Sequence, residues 1–168
     1  DGSKLFFGVS AIRPPKDTAL VDFETAKLDI WHYQDDYIQP QQLKNISREL
    51  SKSNLFVYLI PQQKIVQLTD TPDDQETILV NEGNANWVLG YSNRGNRIST
   101  NWEGRSKLSA YVIDVNTGTK TLAQKDVYTT YQASPNGKYI LWYQPEQKAY
   151  FTYDIVTKNI QKISSSIL

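Results

Sequence analysis

Apolar and polar side chains alternate along three stretches of the chain. In the first, Phe56, Tyr58 and Ile60 fall on one side, with Val57 and Leu59 on the other. In the second, Tyr111, Ile113 and Val115 oppose Val112 and Asp114; in the third, Phe151, Tyr153 and Ile155 oppose Thr152 and Asp154. A period of two is the signature of a strand, whose successive side chains point to opposite faces. Each stretch ends in a turn signal: Pro61-Gln62-Gln63, Asn116-Thr117-Gly118, and Thr157-Lys158 followed by Asn159. The carboxylates of Asp114 and Asp154 stand where they accept hydrogen bonds from backbone N–H groups of those turns, a structural role. Helical periodicity is confined to one segment after Pro40, where Leu43, Ile46 and Leu50 are spaced for a helix.

The strands repeat. Residues 109–123 align with 149–163 at a constant offset of 40, matching Tyr111 to Phe151, Asp114 to Asp154 and Thr117 to Thr157. Trp102 and Trp142 share that offset. Residues 91–98 align with 133–140, where Pro135 precedes an Asn136-Gly137 hairpin signal whose two residues tolerate positive φ. A more divergent copy places residues 56–60 over 111–115, Phe7-Gly8-Val9-Ser10 over Leu89-Gly90-Tyr91-Ser92, and the strand Leu28-Asp29-Ile30-Trp31 over the one ending at Trp102. A period near 40 with four short strands is the arithmetic of a β-propeller blade. The expected fold is all-β: a partial β-propeller of about three four-stranded antiparallel blades at 5–69, 85–126 and 129–164, with an insert at 34–53 and a linker at 70–84. A sandwich or open sheet built of three hairpin units is the alternative architecture. Three blades are too few for a ring of four to eight. The end blades are therefore expected to expose apolar faces, which either pair with another copy or belong to an arc of a larger protein.

Composition supports an all-β reading and narrows the function. The 168 residues include 11 Tyr, 5 Phe and 4 Trp, types that suit half-buried strands. Eighteen basic side chains balance 18 acidic ones, which argues against a nucleic-acid partner. Cys is absent, excluding disulfides and thiolate metal sites. No apolar run approaches the roughly 18 residues of a membrane span. Met is absent too, and the opening Asp1-Gly2-Ser3 reads as a fragment or a processed product of something longer.

The two irregular segments each have two readings. The insert, rich in Gln, is either a crossover shielding a sheet edge or a loop that contacts another domain or a partner. Its Asn45-Ile46-Ser47 is formally a glycosylation acceptor, a pattern frequent by chance. In the linker, Asp70, Asp73, Asp74 and Glu76 form either a solvated turn or a weak cation site; their spacing matches no EF-hand loop. Residues 76–80 are expected to add a short strand.

Catalytic chemistry is poorly represented. His32 is the only His, and no G-x-S-x-G elbow occurs; Gly8-Val9-Ser10-Ala11-Ile12 fails at its last position. His32 reads as a strand-end residue with a local hydrogen bond. Asp35 and Asp36 are adjacent on a turn and diverge, which disfavours paired-carboxylate catalysis. No catalytic residue, metal ligand, cofactor site or phosphate-cradling loop is expected in this chain.

The string Lys27-Leu28-Asp29-Ile30-Trp31-His32-Tyr33, with Asp35-Asp36 and Ile38-Gln39-Pro40-Gln41-Gln42, resembles the propeller of bacterial prolyl oligopeptidase and dipeptidyl peptidase IV-like serine peptidases, in particular large members from Bacteroidetes-type bacteria. Ala133-Ser134-Pro135-Asn136-Gly137-Lys138 with Tyr153-Asp154-Ile155-Val156-Thr157 is similar to the general blade of TolB-like and peptidase propellers. The resemblance implies a non-catalytic propeller portion of a periplasmic or secreted peptidase-like protein. It would gate and position peptide substrate beside an α/β-hydrolase domain that carries the catalytic triad. Trp31, His32, Asp35, Asp36 and Gln41 are then the candidates for facing substrate or partner. The alternative is a TolB-like or orphan propeller that binds a protein or a glycan.

Overall fold

The computed structural model describes residues 1–12, 15, 19, 21, 28–70 and 75–164. Asp73, Asp74 and Lys27, named above, lie outside the described residues. The described chain is mostly β and forms three antiparallel sheets. Strands β1 (Lys4–Val9), β2 (Asn54–Leu59) and β3 (Lys64–Gln67) make the first, in that order. The second is the meander β4 (Glu76–Leu79), β5 (Trp87–Ser92), β6 (Leu108–Asp114), β7 (Lys120–Val127). The third is the meander β8 (Gln132–Ala133), β9 (Tyr139–Gln144), β10 (Ala149–Asp154), β11 (Ile160–Lys162). Helix α1 (Gln39–Leu50) lies in the long connection from β1 to β2, and the one-turn helix α2 (Thr100–Glu103) in the connection from β5 to β6.

The registers show how far the repeat extends. Tyr111 pairs with Leu122 and Ile113 with Lys120; 40 residues on, Phe151 pairs with Lys162 and Tyr153 with Ile160. Phe56 with Gln67 and Tyr58 with Ile65 are the same pairs in the first sheet. The hairpin of the last two strands is thus common to all three. The turn chemistry recurs where Asp is present. Asp114 Oδ1 accepts from the backbone N–H groups of Asn116 (2.9 Å) and Thr117 (2.8 Å). Asp154 Oδ1 accepts from those of Val156 (2.9 Å) and Thr157 (2.8 Å).

The earlier strands depart from the expected alignment. Trp142 lies in β9 opposite Phe151 and is 2% exposed, whereas Trp102 sits in α2 and is 68% exposed. The residue of the second sheet that occupies the place of Trp142 is Gly90, opposite Tyr111. The offset of 40 fails here because residues 93–107 are inserted between β5 and β6. Residues 91–98 consequently do not correspond to 133–140. The turn 134–138 is matched instead by 80–86, since Val115 N–H donates to the Asn86 carbonyl (2.9 Å) as Ile155 N–H donates to that of Lys138 (3.0 Å). Leu28-Asp29-Ile30-Trp31 forms no strand, and the first sheet has three strands among the described residues. Its β1 aligns one residue away from the expected match, with Phe7 opposite Phe56. At the 134–138 turn only Gly137 adopts positive φ (68°); Asn136 does not, and its side chain instead accepts from Lys138 N–H at 3.1 Å.

The sheets stack face to face with the second in the middle, because each has two apolar faces and neither can be left in water cheaply. Tyr111, Ile113 and Val88 of the second sheet pack on Val57, Leu59 and Val66 of the first. Its other face, with Trp87, Leu89 and Ala110, packs on Ile140, Trp142, Phe151 and Tyr153 of the third. Hairpin turns lock both contacts. A Cβ on Gly118, whose φ is 75°, would lie 2.4 Å from the Gln67 carbonyl oxygen, so the first sheet admits only glycine there.

Two outcomes follow from this packing. Trp142 stacks on Phe151 (5.8 Å between ring centroids) and tilts against Tyr131 (6.0 Å), but its indole N–H has no acceptor among the described residues. Trp142→Ala is expected to cost about 3–5 kcal/mol in urea unfolding. Trp142→Phe keeps the stack and is expected to cost about 1.5 kcal/mol or less. Separately, hydrogen bonding from the Thr157 backbone holds the Asp154 carboxyl below its ordinary 3.8. A depressed folded-state pKa gives stability above the unfolded value that is lost as pH falls through the folded value. The stability difference between the parent and Asp154→Asn is expected to shrink on acidification below about pH 4.

Candidate functional site

Both long connections leave the sheets at the same kind of place, between the strand pairs β1–β2 and β5–β6, and they meet. Asp36 makes the join. Its Oδ2 accepts from Gly95 N–H (2.7 Å) and its Oδ1 from Arg97 N–H (3.0 Å), while the Arg97 Nε lies 3.5 Å from Oδ2. The same Nε donates to Asn93 Oδ1 at 2.8 Å, and the guanidinium carbon sits 4.9 Å from the Tyr37 ring centroid. One helical turn later, the Gln41 side-chain amide donates to Asn101 Oδ1 at 2.9 Å. The 34–53 insert therefore contacts the insertion of the neighbouring sheet.

Beneath this junction lies a cleft of about 500 Å3, inside the range of small-ligand sites. Tyr37, Arg48 and Lys52 line it from the insert, Thr69 and Asp70 from the end of the first sheet, and Glu76, Tyr91 and Arg97 from the second. Several of its charges are already engaged. Glu76 accepts from the Tyr91 hydroxyl (3.0 Å), Asp70 pairs with Lys120 (2.8 Å) and Lys52 with Glu49 (2.7 Å). Burial, with the Glu76 carboxylate beside it, pushes the Tyr91 phenol above its ordinary value, so it remains a donor at neutral pH. Among the described residues the Arg48 guanidinium makes no ion pair, and the Gln75 Oε1 is buried without a donor. The cleft offers hydrogen bonds and one open positive charge.

No His lines the cleft among the described residues. Ser92 Oγ accepts from Arg94 N–H (3.2 Å), and His32 lines a different hollow. The His32 Nδ1 accepts from Gln34 N–H at 3.2 Å, with the ring stacked on Tyr33. Asp35 serves Gln42 (3.1 Å) and Asp36 serves Gly95 and Arg97, so the adjacent carboxylates address different partners. No group of three or more metal-ligating side chains occurs among the described residues. Trp31 is 67% exposed and lies beside neither Arg48 nor Gln75. Of the five residues singled out by sequence, Asp36 and Gln41 build the junction, Asp35 holds the insert to itself, and Trp31 and His32 sit on the outer surface. Arg48, Gln75, Tyr91 and Arg97 were not singled out. The one available signal was the polar run Asn93-Arg94-Gly95-Asn96, which breaks the blade pattern where the second insertion starts.

No family model matches the chain, and no curated protein matches it in sequence. Among solved structures, the tricorn protease is similar with a TM-score of 0.44 and 13% identity, over 68% of this chain and 11% of that one. TolB from Acinetobacter baumannii is similar with a TM-score of 0.40 and 14% identity, over 67% of this chain and 27% of that one. The chain thus spans a small part of either. No described helix is long and apolar enough to cross a membrane.

The junction can be tested alone. Asp36→Ala removes the acceptor of two backbone N–H groups, so amide exchange at Gly95 and Arg97 is expected to accelerate more than tenfold while exchange in β9 and β10 stays at the parent rate.

Proposed function

We propose that the chain is a non-catalytic arc of β-propeller blades that holds an extended peptide in the cleft beneath the two insertions. Such an arc would be the gating and positioning portion of an exported serine peptidase-like protein. The observation that carries the reading is the pairing of Gln75 Oε1, a buried acceptor without a donor, with the unpaired Arg48 guanidinium in one cleft. A peptide supplies what both lack: a backbone N–H for the amide oxygen and a carboxylate or carbonyl for the guanidinium. Two further observations agree. The hairpin register recurs in all three sheets, and the chain stacks them in one direction, as blades do. Positioning a bound peptide is the contribution such an arc would make to a reaction carried out elsewhere. The peptidase setting rests on the motifs around Trp31 and Gln41.

Titration calorimetry with unstructured peptides bearing a free carboxylate tests this. Binding is expected for the parent chain, with about tenfold weaker affinity for Arg48→Ala and for Gln75→Leu. A serine-reactive fluorophosphonate is expected to leave the chain unlabelled. Equal affinity of parent and both variants sinks the cleft as the site, and specific labelling sinks the non-catalytic reading.

A second reading, a glycan-binding module, is favoured by three exposed aromatic rings: Trp31, Tyr33 and Trp102. Flat exposed rings of this kind serve as anchors for a partner surface. Oligosaccharides in the same titration distinguish it, since their binding would respond to Trp31→Ala and not to Arg48→Ala.

A further inference from the structure

We propose that two copies of the chain join head to tail, the third sheet of each against the first sheet of the other, closing a ring of six sheets. The reading starts from the two internal contacts, which follow one rule. In both, the face carrying the Tyr111 or Phe151 position is laid on the opposite face of the preceding sheet. Among the described residues the rule leaves one face of each kind open. On the first sheet this is the face of Phe7, Phe56 and Tyr58, continued by Leu5, Ile60 and Ile65. On the third sheet it is the face of Tyr139, Leu141, Tyr143 and Tyr150. Both carry apolar and aromatic side chains, the third sheet's together with Thr152 and Asp154, and the exposure is large. Tyr150 is 45% exposed where its counterpart in the second sheet, Ala110, is fully buried; Leu5 is 57% exposed and Ile65 60%. The open faces are of opposite kinds, so they fit each other in the sense already used twice within the chain.

A polar clasp repeats with the packing and identifies the register. The residue at the start of the strand that precedes the shared hairpin donates to a turn of the following sheet. Lys4 Nζ donates to the Ala85 carbonyl (2.7 Å), and Trp87 Nε1 donates to the Gly137 carbonyl (2.8 Å). Lys4 and Trp87 are positional equivalents, opposite Leu59 and Asp114. In the third sheet that place, opposite Asp154, belongs to Tyr139, an exposed side chain with an O–H to donate. The acceptor place recurs too. Ala85 and Gly137 each precede the residue whose carbonyl accepts from the chain after the third strand, Asn86 and Lys138. In the first sheet that carbonyl is Ser3, which accepts from Ile60 N–H at 2.9 Å, so the acceptor place is Gly2. Among the described residues the stack therefore carries an unfilled donor at one end and an unfilled acceptor place at the other. The Tyr139 hydroxyl of one copy would donate to the carbonyl of the partner subunit's Gly2. Head-to-tail contacts close when the rotation permits, and six sheets fall within the four to eight of closed rings.

Sedimentation equilibrium of the 168-residue chain tests the proposal. The expected mass is twice the 19.3 kDa of one copy at micromolar concentration. Tyr58→Glu disables one face and Tyr143→Glu the other; both are exposed or half-buried at the stack's ends, and circular dichroism checks that each variant keeps its strands. Each is expected to be monomeric alone, and a 1:1 mixture is expected to regain dimer, because one intact contact remains between unlike variants. Tyr139→Phe, which leaves the apolar face in place, is expected to weaken dimerisation about fivefold. A monomeric parent overturns the proposal. So does a variant that stays dimeric alone, which would show like faces pairing, or an open polymer in place of a discrete dimer.

Discussion

A sheet that is apolar on both faces has to be covered twice, and the whole structure follows from how the second sheet meets that demand. Its Ile113 and Val88 side is covered by Val57 and Val66, and its Leu89 and Ala110 side by Ile140 and Phe151. Most of the buried side chains of the molecule belong to these two interfaces. At roughly 1.5–3 kcal/mol for each fully buried Val, Leu or Ile, they are the main reason the three sheets hold a fixed order. The order is directional: each sheet presents a different face to its two neighbours. That direction makes the turns of one sheet press on the body of the sheet before, which is why Gly118 lies under Gln67 and why Lys64 Nζ reaches the Asn116 carbonyl (2.9 Å).

Stacking also dictates where a site can be built. With both faces of the middle sheet occupied, side chains available for a ligand are left at strand ends and in connections. The first two sheets use the connections β1–β2 and β5–β6 for insertions, and the third closes the equivalent connection, β9–β10, with the short turn Pro145–Gln147. The insertions therefore crowd together over the first and second sheets. Their hydrogen-bonded contact is made by Asp36, Arg97, Gln41 and Asn101, and beside it Ile98 lines a hollow with Tyr37 and Ile38. A cleft roofed by such a junction inherits its character: charged groups engaged, Arg48 excepted, beside the neutral amide of Gln75, whose oxygen is buried without a donor.

The parts legible in the sequence are those fixed by neighbours in the chain. Period-two alternation in 109–115 and 149–155 predicts strands, and their turns follow within three residues, so an unbroken offset of 40 reports the true register there. Helix α1 is legible for the same reason, being local, although Leu43, Ile46 and Leu50 on its stripe remain about half exposed. The alignment fails as soon as an insertion changes the spacing. Trp102 matched Trp142 in identity and offset, yet the 93–107 segment had moved the true counterpart to Gly90. Large side chains mislead here because the same position holds Phe7, Gly90 and Trp142, and at Gly90 the side chain of Ile113 on the paired strand already fills the space. The expected strand at Leu28–Trp31 misled through composition: apolar and aromatic residues suit a strand only when a partner edge is present. The cleft was the least legible part. Arg48, Gln75 and Arg97 come from three segments joined only by the Asp36 junction, and no local pattern encodes a meeting between two loops 60 residues apart.

Position, not residue type, is what the repeat preserves. Lys4 and Trp87 have no chemical kinship beyond an N–H, yet each stands at the start of its strand and reaches a turn carbonyl of the next sheet. A long flexible ammonium does this in the first sheet, where it also reaches Asn84; a rigid indole does it in the second, where it adds its ring to the core. Asp114 and Leu59 differ in the same way at the turn position, the carboxylate capping two N–H groups and the leucine entering the core beside Val57. An interface that tolerates such exchange is held by its apolar area and only oriented by its polar clasp. The sheets therefore diverge freely in sequence so long as each keeps one face for the sheet before it and one for the sheet after.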